Sequence, residues 1–141
     1  MANISLEPYL FFSGNCREAM EFYKSVFGGN VDYSEADPEQ MGDMPDKEWF
    51  KGKIMHASLK GPVNIMASDS KIASDKSAKI ELSLGGTDEK EMREIFDKLA
   101  AGGKVKMPLE KQFWGDVYGQ ITDKYNIDWM MNIGTNMGGD A

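Results

Sequence analysis

The chain predicts an α+β protein assembled from two βαβββ modules. Three observations carry that expectation. The order strand, helix, strand, strand, strand occurs twice, which makes an internal repeat of roughly 70 residues. Each helix stops at a glycine pair, Gly28-Gly29 in the first half and Gly102-Gly103 in the second. The strands alternate aliphatic with polar residues, the period of a sheet with one face on a core. A βαβββ unit cannot close its sheet alone. Two together can form a single curved mixed sheet with helices on its outer face. Module one is expected at 3–70, module two at 76–134, and a frayed tail at 135–141, all within one domain.

The first strand falls in ISLEPYLFFSG, residues 4–14. Pro8 stands in the middle of it, and a proline without an amide proton belongs at a strand start, an edge or a bulge. The helix CREAMEFYKSVF follows, with Ser13 or Asn15 as its cap and Ala19, Phe22, Tyr23, Val26 and Phe27 as its buried stripe. NVDYSEA (30–36) reads as a strand. DPEQMGDMPDKEWFKG (37–52) reads as a loop long enough to be functional or mobile. KIMHASLKG and VNIMASD then form a hairpin around Gly61-Pro62. The second half begins with AKIELSLGG (78–86) and a helix over 87–103 capped by Thr87, with Met92, Ile95, Phe96 and Leu99 buried. Strands follow in KVKMPLE, DVYGQITD and IDWMMNIG.

Composition narrows the function classes. Of 141 residues, 41% are hydrophobic and 28% charged, as in a soluble globular protein. The net charge of −7 disfavours nucleic acid and anionic membrane as partners. No apolar run reaches the length of a membrane span, and the N-terminal residues lack the pattern of a signal peptide. Cys16 is the only cysteine and His56 the only histidine. That count rules out an internal disulfide and zinc sites built from Cys and His, and it fits a reducing, cytoplasmic setting.

Alternation sorts the strand residues onto two faces. One face is aliphatic, with Met55, Ala57 and Leu59, then Val63, Ile65 and Ala67, Ile80, Leu82 and Leu84, Val117 and Ile121, and Trp129, Met131 and Ile133. The other mixes polar and apolar groups, including Ile54, His56, Ser58, Met66, Glu81, Tyr118, Gln120, Met130 and Asn132. Two readings of that second face stand: a solvated sheet surface, or the lining of a concave small-molecule site.

The stretches PYLFFSGNCREAMEFY, MHASL followed by NIMASD, and FWGDVYGQITDKYNIDWMMNI resemble the vicinal oxygen chelate superfamily of glyoxalase, bleomycin-resistance and dioxygenase proteins. They are most similar to its PhnB-like branch, which also carries a demethylubiquinone methyltransferase label. The resemblance covers nearly the whole chain. It implies paired βαβββ modules, a homodimer and a cup-shaped site. Metal-dependent members hold a divalent cation at four strand positions, which the resemblance carries onto Pro8, Met66, Lys79 or its neighbour, and Met130. None is a carboxylate or imidazole, so neither a metal nor another cofactor is expected. The ligand-binding residues expected are Met66, Phe113, Trp114, Tyr118, Met130 and Asn132. His56 and Glu81 are the candidate acid and base, with a structural histidine and a simple Lys79–Glu81 pair as the plain alternatives. Cys16, at the start of a helix, reads either as an activated thiol or as a small packed residue. Two functions remain: a dimeric, metal-free binder of a small molecule, or a metal-independent isomerase, lyase or transferase. Nothing resembles a glycine-rich nucleotide loop after a strand.

Overall fold

The computed structural model describes residues 7–71 and 80–134. They divide into two compact units, drawn from Met1–Asp75 and Lys76–Ala141. The first contains β1 (Tyr9–Phe12), α1 (Cys16–Phe27), β2 (Asn30–Glu35), β3 (Ile54–Lys60) and β4 (Ile65–Asp69). The second contains β5 (Leu82–Gly86), α2 (Glu89–Ala100), β6 (Lys104–Lys111), β7 (Val117–Thr122) and β8 (Asp128–Ile133). Both halves therefore follow the βαβββ plan, and the strand orders repeat it: β1-β4-β3-β2 and β5-β8-β7-β6. In each unit the first strand runs parallel to the last, and the remaining pairs are antiparallel. Among the described residues each unit thus holds one four-stranded mixed sheet. Each is an α+β layer of one helix on one mixed sheet.

Proline placement follows from the edges. β1 has a neighbour on one side only, and Pro8 stands just before its first residue. The Pro8 carbonyl still accepts from the Met66 N–H at 3.0 Å, so the ladder loses nothing by the missing amide. Pro108 sits inside β6, the edge strand of the second sheet, where the register shifts between Val105 and Met107 and again before Glu110. Residues 4–6 and 78–79 of the two expected strands lie outside the described residues.

α1 buries Cys16, Ala19, Met20, Tyr23 and Val26 and packs on β2, β3 and β4, where Ala57, Leu59, Ile65 and Ala67 are buried. Met20 replaces Phe22 and Phe27 in the expected stripe. Those two phenylalanines flank the contact line and are only half-buried. α2 buries Met92, Phe96 and Leu99 and packs on β6, β7 and β8, where Val117, Ile121, Trp129, Met131 and Ile133 are buried. Ile95 stays half-buried. The cap of α2 is Asp88, whose carboxylate accepts from the Glu91 N–H at 3.1 Å, one residue beyond the expected Thr87. Asn15 occupies the cap position of α1 but makes no side-chain cap bond. That role passes to Asp69, at the end of β4. Its Oδ1 accepts from Gly14 N and Cys16 N, and its Oδ2 from Ile54 N, each at 2.9 Å.

β3 departs from simple alternation. Ser34 pairs with His56 and Glu35 with Ile54, so Met55 is the extra residue of a bulge. Ile54 consequently turns into the core at 1% exposure, and Met55 lies exposed. The expected assignment of these two side chains is reversed for that reason.

Candidate functional site: the open sheet faces

In each sheet one side is covered by the unit's own helix, and the candidate site residues fall on the other. In the first unit, strand register builds a row from Tyr9 through Met66 and Ser58 to Asp32. Beside it, Phe11 pairs with Ser68, and His56 with Ser34. The Tyr9 ring lies 5.0 Å from that of Phe11 and 5.9 Å from the His56 imidazole. Phe11 is 53% exposed, and Tyr9, Met55 and His56 are also exposed, while Met66 is half-buried and Ser68 buried. The result is an aromatic and thioether surface with one imidazole at its side and small serines along the middle strands. Tyr9 and Phe11 were not among the expected site residues, although they alternate with the buried Phe12 in YLFF.

The second unit presents a more polar face. Glu81 Oε2 meets Lys106 Nζ at 3.3 Å, and Lys106 also lies 3.6 Å from Asp128 Oδ1. Thr122 Oγ1 donates to that same Asp128 oxygen at 2.7 Å. Gln120 Nε2 donates to the Tyr118 hydroxyl at 2.9 Å, and this hydroxyl lies 3.7 Å from Met130 Sδ. Asn132 Nδ2 donates to Asp116 Oδ2 at 2.9 Å. Tyr118, Met130, Asn132 and Glu81 therefore share one half-buried surface. Lys106 joins them from β6, whose bulges hide its phase from a sequence-based reading. Glu81 Oε1 is buried and lacks a hydrogen-bond partner among the described residues.

The expected aromatic wall is only partly formed within this unit. The Trp114 ring lies 6.2 Å from that of Tyr118, but Phe113, in the tight β6–β7 connection, is 97% exposed. His56 and Glu81 belong to different units. Lys79 lies outside the described residues, and the partner that Glu81 has is Lys106.

Cys16, the remaining candidate, resolves into a structural role. Cys16 is fully buried, and burial, with the Asp69 carboxylate adding to it, pushes its thiol up to about 12. A thiol so held is the opposite of an activated nucleophile. Tyr33 donates to Glu21 Oε2 at 2.6 Å under the Arg17 guanidinium, 4.5 Å from its ring. Burial first, then the Glu21 hydrogen bond and charge, push its phenol above the usual range. The 37–52 segment holds two short 3₁₀ turns, Pro38–Gln40 and Lys47–Phe50. It is tied down by Asp46 on Lys71 at 2.8 Å and by Lys53, 4.9 Å from the Trp49 ring.

The donor set does not fit the divalent cation of the metal-dependent relatives. Register sets Tyr9, the residue after Pro8, across from Met66, and Pro8 itself has no side-chain donor. The corresponding pair in the second unit is Ser83 and Met130. Phenol, hydroxyl and thioether are poor ligands for such ions beside carboxylate and imidazole. Among the described residues no three His, Cys, Asp or Glu side chains gather closely enough to hold one.

Comparison with known proteins agrees with the geometry. The family model of the Glyoxalase/Bleomycin resistance protein/Dioxygenase superfamily matches residues 5–131. Protein YjdN of Escherichia coli is 30% identical, over 91% of this chain and 94% of its own. The crystal structure of PA1353 from Pseudomonas aeruginosa is 35% identical, with a TM-score of 0.76 over 94% of this chain and 98% of that one. A Bacillus cereus PhnB protein, assigned provisionally as a 3-demethylubiquinone-9 3-methyltransferase, is 25% identical. Its TM-score is 0.71, over 93% of this chain and 100% of its own.

Proposed function

Because the chain belongs to the Glyoxalase/Bleomycin resistance protein/Dioxygenase superfamily, we propose that it is a PhnB-like protein that binds a small, partly apolar molecule on its open sheet faces without a metal. The observation that carries this reading is the uncovered ring surface of the first unit. Tyr9, Phe11 and Met55 remain exposed although the same strands bury Phe12, Ile54 and Ala57 on the other side. An apolar ligand that removes these groups from water gains about 25 cal/mol per Å² of area covered. On its own open face the second unit carries polar groups suited to orienting a ligand bound there: Tyr118, Gln120, Asn132 and Glu81 Oε1. We further propose a cytoplasmic homodimer. The lone, fully buried cysteine suits a reducing compartment, and no helix among the described residues is long and apolar enough to cross a membrane.

A second reading rests on His56. Its imidazole is exposed beside Tyr9, where a bound molecule can reach it, so a metal-independent acid–base enzyme using His56 and Glu81 is the alternative. Methyl transfer, the label of the Bacillus cereus relative, is not part of the proposal.

A thermal-shift screen of small aromatic and aliphatic compounds tests the first reading, since a native-state ligand raises the melting point. Compounds that stabilise the protein are expected to lose that effect in Tyr9→Ala/Phe11→Ala, whose own melt changes little because both residues are exposed. Retention of the shift in that variant overturns the assignment. Once a compound binds, chemical turnover lost in His56→Ala with binding retained favours the enzyme.

A further inference from the structure

We propose that Met55 is a site of reversible oxidation, and that its sulfoxide weakens the hold of the first unit's ring surface on apolar molecules. The inference rests on the open-face reading of that surface. The methionines divide sharply by exposure. Met20, Met92 and Met131 are buried, at 0%, 7% and 1%. Met41, Met66 and Met130 are half-buried, and Met44, Met55 and Met107 stand at 45%, 41% and 39%. An oxidant in solution therefore meets the last three first. The chain's only thiol does not compete. Cys16 is fully buried and keeps its proton, whereas the thiolate is the form that peroxide attacks.

Of these three thioethers, one belongs to the ring surface. Met44 lies in the 37–52 segment, and Met107 lies on β6, an edge strand of the other unit. Met55 is the extra residue of the β3 bulge. Plain alternation would turn its side chain to the helix side with Ala57. The bulge puts Ile54 there instead and leaves Met55 in water. His56 follows it directly, and that imidazole lies 5.9 Å from the Tyr9 ring, which lies 5.0 Å from Phe11. One irregularity in one strand thus sets a reactive sulfur beside the rings while the core beneath stays closed.

The step is an oxygen transfer from hydrogen peroxide. A lone pair of Met55 Sδ attacks one peroxide oxygen, an S–O bond forms and the O–O bond breaks. The second oxygen leaves as water with both protons. Sulfur is oxidised by two electrons, and the peroxide is reduced by the same two. The product is a polar, chiral acceptor in place of an apolar thioether. An apolar molecule that covers it strips its water and offers no donor in return, so part of the area that drives binding is lost. Methionine sulfoxide reductases reverse the step.

The test treats the full chain with hydrogen peroxide only as far as Met20, Met92 and Met131 stay unmodified by peptide mass mapping, which shows that the fold is kept. Met55 should gain an oxygen alongside Met44 and Met107. A Met55 left intact while those two are oxidised overturns the proposal. Binding is read with the neutral fluorescent dye N-phenylnaphthylamine. Oxidised wild type should bind the dye roughly threefold or more weakly than untreated protein, and reductase treatment should restore it. Met55→Leu, compared with its own untreated form, should show no such loss, although Met44 and Met107 are oxidised in it. Equal binding before and after peroxide in wild type, or the same loss in Met55→Leu, overturns the proposal. A dye that does not bind untreated protein, or binds Tyr9→Ala/Phe11→Ala as tightly, overturns the open-face reading instead, and the mapping still decides the oxidation site.

Discussion

Asp69 Oδ1 accepts the Cys16 backbone N–H at 2.9 Å, across 53 positions of chain. The last strand of the first unit thereby caps its first helix. The same carboxylate holds Gly14 N and Ile54 N, so three buried or part-buried donors depend on one side chain. Asp69→Ala should cost about 2–4 kcal/mol, because the donors lose their acceptor and no water replaces it. Urea unfolding measures the loss. A cost below about 0.5 kcal/mol would show that the clasp is dispensable.

Cys16 gives a pH prediction whose sign can be worked out. Its folded value, about 12, lies above the ordinary 9.0. Below pH 9 both states keep the proton and nothing changes. Between pH 9 and 12 the unfolded chain ionises and the folded one does not, so stability falls as pH rises, by at most about 1.4 kcal/mol per pH unit. Comparing the pH slopes of wild type and Cys16→Ala isolates this contribution from lysine and tyrosine titration. Equal slopes would contradict it. The native thiol should also resist alkylation at pH 8 and react only on unfolding.

Two glycine substitutions make a matched pair. Gly103→Ala drives a Cβ against the Thr122 carbonyl and the Asp123 backbone, at 2.3 and 2.9 Å, neither of which can yield locally. It should destabilise by about 2 kcal/mol or more. Gly85→Ala, in β5, meets nothing within 4 Å and should stay within about 0.5 kcal/mol of wild type. Thermal melts of the two decide whether the joint between α2 and β6 is as tight as the geometry says.

Chelation tests the metal-free proposal. With phenol, hydroxyl and thioether at the paired strand positions, EDTA should leave the melting midpoint within about 1 °C. A drop of several degrees, reversed by one added divalent ion, would restore a metal site.

Much of this architecture is legible in the chain. The Gly-Gly pair marks the end of α1 at Gly28, that of the second half lies just past the end of α2 at Ala100, and the two-residue alternation in VYGQIT and DWMMNI leads directly to the buried faces. The failures have local causes. The bulge at Met55 reverses Ile54 and Met55, a one-residue event that alternation cannot report. The helix caps go to Asp88 and Asp69; the latter acts from the far end of the unit, where sequence proximity gives no hint. Pro8 and Tyr9 are adjacent, and only the register shows that Tyr9 is the residue across from Met66. Lys106 was missed because β6 bulges on either side of Met107 and so loses its period.

The clasp between Asp69 and the β1–α1 joint also orders events during synthesis. β1 pairs with β4, and the cap of α1 hangs on the last residue of that strand. At about 5–20 residues per second, the ribosome makes the first strand and helix several seconds before the residue that secures them. For that interval YLFF has no strand to join, and the nascent segment is open to chaperones or to the wrong partner. The unit closes only once Asp69 has left the exit tunnel. A translation pause placed after Asp69 has cleared the tunnel should therefore aid its folding, and one while Asp69 is still inside it should hinder it.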